Sequence, residues 1–313
     1  MSGPAGAGGA AARTAAGSRP IASSRLRALV VSARPAQWTK NGALLVAPLF
    51  AQQLSRPDEL RPVVLGVAAF SALASAVYLA NDVVDRERDR LHPDKRHRPI
   101  AAGALSPQLA IGASAALGVV GLGVAAAVGS SFFLVTLAYL ALQALYTTIL
   151  KHLVVVDVFA VASGFVLRVV AGAEAAAVPI SNWLYLCTLL LSLFLALAKR
   201  RAELATLGTE ALRHRPILTE YTVAMVDQLA TVLSACTVVA YSLYTVAPET
   251  VQKFGSDRLK FTVPFVLFGL FRYIYLVHRR GAGGQPEQVL LFDRPMQVNL
   301  VAYLATVAWA IYT

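Results

Sequence analysis

Apolar residues in this chain cluster in long blocks, and polar residues are confined to the segments between them. Blocks of roughly 17 to 25 residues without a polar face are typical of helices that cross a bilayer. The hydropathy pattern predicts nine spans, at residues 42–54, 62–81, 108–127, 132–149, 154–173, 183–198, 222–246, 262–277 and 297–312. The first is short and interrupted by proline, and the last is barely long enough. We therefore expect an all-α, polytopic membrane protein with about nine transmembrane helices.

The cations between the spans predict which side of the membrane each segment occupies. With the N-terminus inside, the inner segments hold 21 of the 28 Lys and Arg residues and the outer segments hold five. Positive residues favour the cytoplasmic side, so this asymmetry predicts an N-terminus in the cytoplasm. The long polar loops, 82–107, 199–220 and 279–296, fall on the same side, where we expect any chemistry to lie.

The composition agrees with this assignment and narrows the function. The 313 residues are 57% hydrophobic and 14% charged, which excludes a disordered chain and argues against a soluble enzyme. The net charge of +11 lies in loop clusters that the topology explains, so we expect no nucleic-acid partner. Residues 1–24 are rich in Gly, Ala and Ser and predict a disordered tail before a single transmembrane domain at 25–313.

The most informative polar motif follows the second predicted span. At 100° per residue, one helical face is expected to gather an amide and three carboxylates, from Asn81, Asp82, Asp85 and Asp89. Such a cluster repels itself unless it binds a cation, and oxygen ligands at this density suit Mg²⁺. The alternative is a solvated helix end whose carboxylates pair with the arginines interleaved among them.

A basic loop follows the acidic motif directly. Lys95, Arg96 and Arg98 lie within reach of the acidic face. Acidic residues that hold a metal, followed by cations that bind phosphate, form the combination that a diphosphate substrate needs. The alternative is a loop that only sets topology, but topology alone does not call for carboxylates beside the arginines.

Further candidates lie at the inner ends of other spans or inside them. Asp157 and Arg168 share one face of the fifth span about 16 Å apart, too far for a direct ion pair, so each needs another partner. The residues that we expect to contact an anionic substrate or its neighbourhood are Lys40, Asn41, Tyr146, Lys151, Asp157, Arg168, Lys199, Arg200 and Glu203. Membrane anchoring is the alternative for Tyr146 and Lys151, and a stop-transfer cluster is the alternative for Lys199 and Arg200. Three features stay outside the predicted site: Asp227, Arg272 and the segment 287–294.

Several of these motifs together resemble the UbiA superfamily of intramembrane prenyltransferases. NDVVDRERD followed by KRHRPIAAG is similar to the first Asp-rich motif and basic loop of that superfamily. Where its aromatic-prenylating members carry a second Asp-rich motif, this chain reads AKRRAELATLG, which is basic. The segments RPAQWTKN, SAVYLANDVVD, KRHRPIAAG, YTTILKH, VVDVFAVASGFVLRVVAG, AKRRAEL and PEQVLLFDR resemble instead the branch that transfers phosphoribosyl groups to decaprenyl phosphate.

The resemblance implies a fold of nine transmembrane helices around a central cavity. It also implies Mg²⁺-dependent transfer of phosphoribosyl from phosphoribosyl diphosphate to a polyprenyl phosphate, with release of diphosphate, on the way to arabinose donors for cell-wall arabinogalactan. The site would face the cytoplasm from the plasma membrane. Two alternatives remain: a UbiA-type prenyl transfer to an aromatic or lipid acceptor, and a transporter of a phosphorylated metabolite. A transporter would be expected to show two matching halves, and no such repeat is visible.

Overall fold

The computed structural model describes residues 21–53, 56–92, 95–214, 216–280, 284, 289–290 and 292–312. Within these ranges the chain is helical and contains no strand. The α-helices are α1 Ile21–Ala33, α2 Val46–Phe50, α3 Pro57–Val84, α4 Arg86–Leu91, α5 Pro107–Val128, α6 Ser130–Thr148, α7 Val156–Ala175, α8 Asn182–His214, α9 Val223–Val246, α10 Pro248–Phe254, α11 Val263–Arg280 and α12 Arg294–Tyr312. Short 3₁₀ helices lie at Pro35–Leu45, Lys95–His97, Leu150–His152, Pro216–Glu220 and Arg258–Thr262.

Seven of the predicted spans correspond to helices that are long and apolar enough to cross a membrane. They are α3, α5, α6, α7, the Asn182–Ala205 part of α8, α9 and the segment Arg258–Arg279. The chain is therefore a multi-pass helical membrane protein. The orientation of its N-terminus remains a prediction.

The predicted count of nine is not confirmed, for different reasons at the two ends. Residues 42–54 do not form a long helix, because the 3₁₀ helix Pro35–Leu45 passes into the five-residue α2, after which the chain turns. The last span does form a helix, α12, but its first turns carry Arg294, Gln297 and Asn299 and shorten the apolar part.

The first helix overlaps the end of the predicted tail at 1–24. Residues 1–20 lie outside the described part, but α1 begins at Ile21. The reason is tertiary packing, because Ala28 of α1 is buried in a cluster with Leu79, Ile100 and Leu105.

Close helix contacts place the first part of the chain against α7. A Cβ on Gly172 of α7 would collide with the backbone of Leu44, so only glycine allows the 3₁₀ helix Pro35–Leu45 to approach this closely. Gly121 likewise allows α5 to pack closely against α3, because a Cβ at this position would lie 2.7 Å from Leu73 Cγ. The N-terminal segment thus runs from Arg34, beside Asp82 at the C-terminal end of α3, to Leu44, beside Gly172 near the C-terminal end of α7.

Candidate active site

The acidic motif lies at a break between two helices. α3 ends at Val84, Asp85 has φ −85° and ψ 3°, and α4 begins at Arg86. The amide of Asp85 still donates to the Asn81 carbonyl at 2.8 Å, and the amide of Asp89 donates to the Asp85 carbonyl at 2.8 Å. Asp82 and Asp89 are buried, whereas Asn81 and Asp85 are half-buried.

Arg98 joins the two buried carboxylates. Its Nη1 lies 2.7 Å from Oδ2 of Asp89 and 3.0 Å from Oδ1 of Asp82. Arg34 adds a second guanidinium, with Nη2 2.6 Å from the same Asp82 oxygen and its plane over the ring of Tyr78 at 4.8 Å. Arg34 itself has φ 53° and ψ 61°, a left-handed conformation that is uncommon for a residue with a side chain. Two cations thus converge on one pair of buried carboxylates.

Two carboxylates of the acidic motif, Asp82 and Asp89, are arranged so that they fit a divalent metal. Within the described ranges, no three Asp, Glu, His or Cys side chains come together as a metal-binding group. That Asn81, Asp82, Asp85 and Asp89 hold the metal together stays a prediction. Asp82 and Asp89 nevertheless face one point that a cationic nitrogen of Arg98 occupies. Mg²⁺ commonly uses one or two carboxylates and completes its shell with water and phosphate oxygens, so this pair is sufficient.

The three cations of the basic loop differ in their exposure to solvent. Lys95 and Arg96 are exposed on the 3₁₀ helix Lys95–His97, while Arg98 turns inward. Ile100 and Leu105 are buried and anchor the end of the loop, and Arg90 donates to the Ala101 carbonyl at 3.2 Å. The loop therefore keeps one cation on the carboxylates and two at the surface beside them.

The intramembrane Arg168 has internal partners. Its Nε donates to Oδ1 of Asn41 at 3.0 Å, Nη1 to the Gly164 carbonyl at 2.8 Å, and Nη2 to the hydroxyl of Tyr139 at 2.8 Å. Asn41 is buried and also donates to Ser71 at 3.0 Å. Lys40, the next residue, is only half-buried, and its Nζ donates to Gln37 at 2.5 Å. The contacts make Arg168 and Asn41 a support for the 3₁₀ helix, not a surface for a ligand.

Asp157 is the centre of a second buried network. Arg200 donates through Nε to Oδ2 of Asp157 at 2.6 Å, through Nη1 to Glu203 at 2.7 Å, and through Nη2 to the hydroxyl of Tyr146 at 3.2 Å. The hydroxyl of Tyr221 donates to the other oxygen of Asp157 at 2.7 Å. Asp157 is fully buried and Arg200 is 2% exposed. The guanidinium of Arg200 is thus committed to protein groups, and the predicted direct contact between Arg200 and a phosphate does not fit this geometry.

Lys151 and Lys199 remain available at the edge of this network. Both are half-buried, and in the described part of the chain neither has an ion-pair partner. Lys151 belongs to the 3₁₀ helix that precedes α7, and Lys199 precedes Arg200 on α8. These two lysines, rather than Arg200, are the cations that can approach an anion here.

Sequence reasoning missed several partners of the site. Arg34 carries a visible signal, since it opens the segment RPAQWTKN, whereas Tyr221 has none because its partner lies 64 residues away. Asp227 pairs with Arg201 at 2.6 Å, and Arg272 pairs with Asp293 through two bonds of 3.1 and 2.8 Å. Asp227 and Arg272 thus have structural partners outside the predicted site, while residues 287, 288 and 291 of the remaining loop lie outside the described residues.

An apolar cavity of about 430 Å³ lies between α7, α8, α9, α11 and α12. Its walls include Phe165, Val169, Leu184, Phe194, Tyr241 and Tyr303. Two lining residues connect it with the polar groups above: Ala43 follows Lys40 and Asn41 in the 3₁₀ helix, and Leu195 precedes Lys199 by about one helical turn. An apolar chamber therefore begins next to the candidate cations.

Comparison with known proteins identifies relatives over most of the chain. A decaprenyl-phosphate phosphoribosyltransferase of Mycobacterium tuberculosis is 36% identical over 287 residues, which are 90% of this chain and 94% of that protein. The proteins of the same name from Mycolicibacterium smegmatis and Corynebacterium glutamicum are 33% and 34% identical, over 91% of this chain and 92% and 86% of theirs.

Solved structures agree on the fold. A UbiA homologue from Archaeoglobus fulgidus bound to GPP and Mg²⁺ has a TM-score of 0.68 at 20% identity, covering 91% of this chain and all of that one. A digeranylgeranylglyceryl phosphate synthase has a TM-score of 0.64 at 16% identity, covering 92% of this chain and 99% of that one. Residues 42–292 match the UbiA prenyltransferase family. The resemblance of the sequence motifs is thus confirmed, and the chain belongs to the UbiA prenyltransferase family.

Proposed function

We propose that this protein transfers a phosphoribosyl group from phosphoribosyl diphosphate to a polyprenyl phosphate and releases diphosphate. The observation that carries the proposal is the pair of buried carboxylates, Asp82 and Asp89, with Arg98 and Arg34 bound to them. The names of the relatives at 33% to 36% identity support the donor and the acceptor. The product would serve the synthesis of arabinose donors for the cell wall.

Asp82 and Asp89 are the residues that would hold Mg²⁺, with Asn81 and Asp85 beside them to bind its water ligands. When bound, the metal would supply positive charge to the leaving diphosphate. Arg98 and Arg34 are then free to pair with phosphate oxygens, since their carboxylate partners bind the metal. Lys95 and Arg96 lie exposed at the same edge, where a water-soluble donor arrives.

The acceptor needs no activated side chain. A lipid phosphate is ionised at neutral pH, so its oxygen attacks C1 of the ribose while the bond from C1 to diphosphate breaks. The protein contributes position and charge neutralisation. Lys151, Lys199 and Lys40 supply cations, and the adjoining cavity accepts the first isoprenoid units of the lipid. We further propose that the site opens to the cytoplasm from the plasma membrane.

The decisive assay uses detergent-purified protein with labelled phosphoribosyl diphosphate, polyprenyl phosphate and Mg²⁺, scored for label that enters organic solvent. Asp89→Asn should lower turnover on the order of a hundredfold. Glu87→Gln is the matched control, because Glu87 is an exposed carboxylate of the same segment whose partners are surface arginines. Equal rates for both variants would remove Asp89 from the site.

The second candidate function is prenyl transfer from a prenyl diphosphate, which the neighbour bound to GPP and Mg²⁺ favours. Such an enzyme needs a diphosphate site beside α8, where this chain has the half-buried Lys199 and the buried Arg200. The same preparation, given labelled geranyl diphosphate and an aromatic or lipid acceptor, distinguishes the two. Transfer of prenyl without transfer of phosphoribosyl would overturn the first proposal.

A further inference from the structure

The turn that leads into α7 contains a strained residue. Val155 has φ 66° and ψ −42°, close to the γ-turn of positive φ that is rare even for small residues. Its branched Cβ makes this conformation a genuine outlier. Such backbone persists only where the surrounding structure holds it in place, and it occurs most often at functional sites.

One hydroxyl group holds this turn. The backbone amide of Val155 donates to the hydroxyl of Tyr221 at 2.7 Å, and the same hydroxyl donates to Oδ1 of Asp157 at 2.7 Å. Tyr221 is 4% exposed and packs among apolar residues of α7, α8 and α9. Burial, followed by the bond to Asp157, raises the pKa of Tyr221 to about 12, so the hydroxyl stays protonated at physiological pH.

The same network reaches Tyr146 and the segment that carries Lys151. Asp157 binds Arg200, and Arg200 binds Tyr146. Lys151 precedes Val155 by four residues, and the intervening backbone is folded by bonds from Leu153 to the Leu150 carbonyl at 3.1 Å and from Asp157 to the Leu153 carbonyl at 3.0 Å. A displacement of the Val155 turn would therefore move Lys151 directly.

We propose that Tyr221 is a positioning residue for the substrate phosphate. It touches no substrate itself, but its hydroxyl fixes the Val155 turn and thereby the place of Lys151 and Tyr146. This inference rests on the proposed function, in which Lys151 supplies a cation to the phosphate of the acceptor lipid.

The test begins with Tyr221→Phe, which removes one oxygen and keeps the ring in its apolar cluster. We expect KM for polyprenyl phosphate to rise about tenfold while kcat changes less than threefold, because the acceptor is bound less well but reacts in the same place. Tyr275→Phe is the matched control, since Tyr275 is an exposed tyrosine of α11 away from this network. It should leave both constants unchanged.

A rescue variant separates positioning from a general loss of stability. Glycine adopts positive φ without strain, so Val155→Gly should hold the turn without the hydroxyl. In the background of Tyr221→Phe it should return KM to within threefold of the wild-type value. If KM stays raised in the double variant, the effect does not pass through the Val155 turn and the inference is wrong. The double variant also serves if Tyr221→Phe alone does not fold.

Hydrogen exchange gives a readout that does not depend on activity. In the wild type the amide of Val155 should be protected, and in Tyr221→Phe the peptides that cover 149–157 should exchange at least tenfold faster. Wild-type protection in Tyr221→Phe would overturn the inference. A different outcome is that the wild type transfers no phosphoribosyl while Tyr221→Phe still shows the faster exchange. That outcome would refute the proposed function, but it would support the role of Tyr221 in fixing the Val155 turn.

Discussion

At the scale of single residues, the site is built from buried charges that have protein partners. Asp82, Asp89, Asp157 and Arg200 are each less than 4% exposed, and each has at least one ion pair. An unpaired charge at such positions would be very costly. This pairing decides which residues can contact a substrate. Asp82 and Asp89 can do so if a metal ion replaces their arginine partner, and Lys199 can do so because it lies half-buried beside the Asp157 network without an ion pair to any described residue.

Arg98→Ala should reveal the competition between guanidinium and metal. Removing the cation between two buried carboxylates should destabilise the protein by about 3 kcal/mol without Mg²⁺. Added Mg²⁺ should then raise the unfolding temperature more than it does in the wild type, because Asp89 has lost its guanidinium and only Arg34 still competes at Asp82. Thermal unfolding in detergent, with and without Mg²⁺, measures both effects. Arg88→Ala, at an exposed position of α4, should show neither, and an equal Mg²⁺ response in all three proteins would contradict the two-carboxylate site.

Lys199 and Arg200 should behave differently although they are neighbours. Arg200→Ala leaves Asp157 without its guanidinium and should lower the free energy of unfolding by about 3 to 5 kcal/mol. Lys199→Ala should keep the unfolding temperature and reduce phosphoribosyl transfer at least tenfold through the loss of one charge-assisted contact. Unfolding curves and rates on monodisperse protein separate the two. A stable, active Arg200→Ala would show that the buried network is dispensable.

At the scale of elements, long apolar helices could be predicted and irregular segments could not. Length and hydropathy alone predict five of the membrane-spanning helices, namely α3, α5, α6, α7 and α9. Hydropathy assigns residues 42–45, the end of the 3₁₀ helix Pro35–Leu45, to the first span. It contains no information on the close backbone contact at Gly172 or on the bond from Arg168 to Asn41. The break at Asp85 was likewise invisible, since helical periodicity assumes a continuous helix.

The same limits apply to the site. The motif residues at 81–98 were found because they are adjacent in sequence and carry unusual charge. Asp157 and Arg200 are 43 positions apart on two helices. The sequence therefore predicts that Asp157 needs a partner, but it does not identify Arg200 as that partner. Tyr221 escapes sequence reasoning for the same reason, since Asp157 lies 64 positions away, whereas Arg34 opens the segment RPAQWTKN and could have been selected.

Gly172→Ala tests the contact that positions the N-terminal segment. The added methyl group would meet the backbone of Leu44, which cannot rotate away as a side chain can, so the 3₁₀ helix must move. We expect a loss of about 1 to 3 kcal/mol in the free energy of unfolding, measured in detergent. Gly118→Ala on α5 is the control, because a Cβ there meets nothing within 4 Å. If both substitutions were equally harmless, the close approach would not be required.

At the scale of the whole molecule, the apolar cavity adjoins the polar segment that carries Lys199 on α8. Polar groups occupy the ends of α3, α7 and α8, and the apolar cavity extends from Ala43 and Leu195 to Tyr241 and Tyr303. The proposed reaction requires a water-soluble diphosphate and a lipid phosphate to approach a common point from two different phases. This arrangement makes sense only if the polar ends face the compartment that contains the donor.

Orientation is therefore a prediction about the entire chain, and it follows from the distribution of cations rather than from any single contact. If the N-terminus is inside, Lys95 faces the cytoplasm and Asp257, in the segment between α10 and α11, faces outward. Both are exposed, so a cysteine at either position should react readily in a background where Cys187 and Cys236 are replaced by alanine. With an impermeant maleimide on sealed cells, Asp257→Cys should label at once and Lys95→Cys only after lysis. The reverse pattern would place the candidate active site outside and would exclude a cytoplasmic donor.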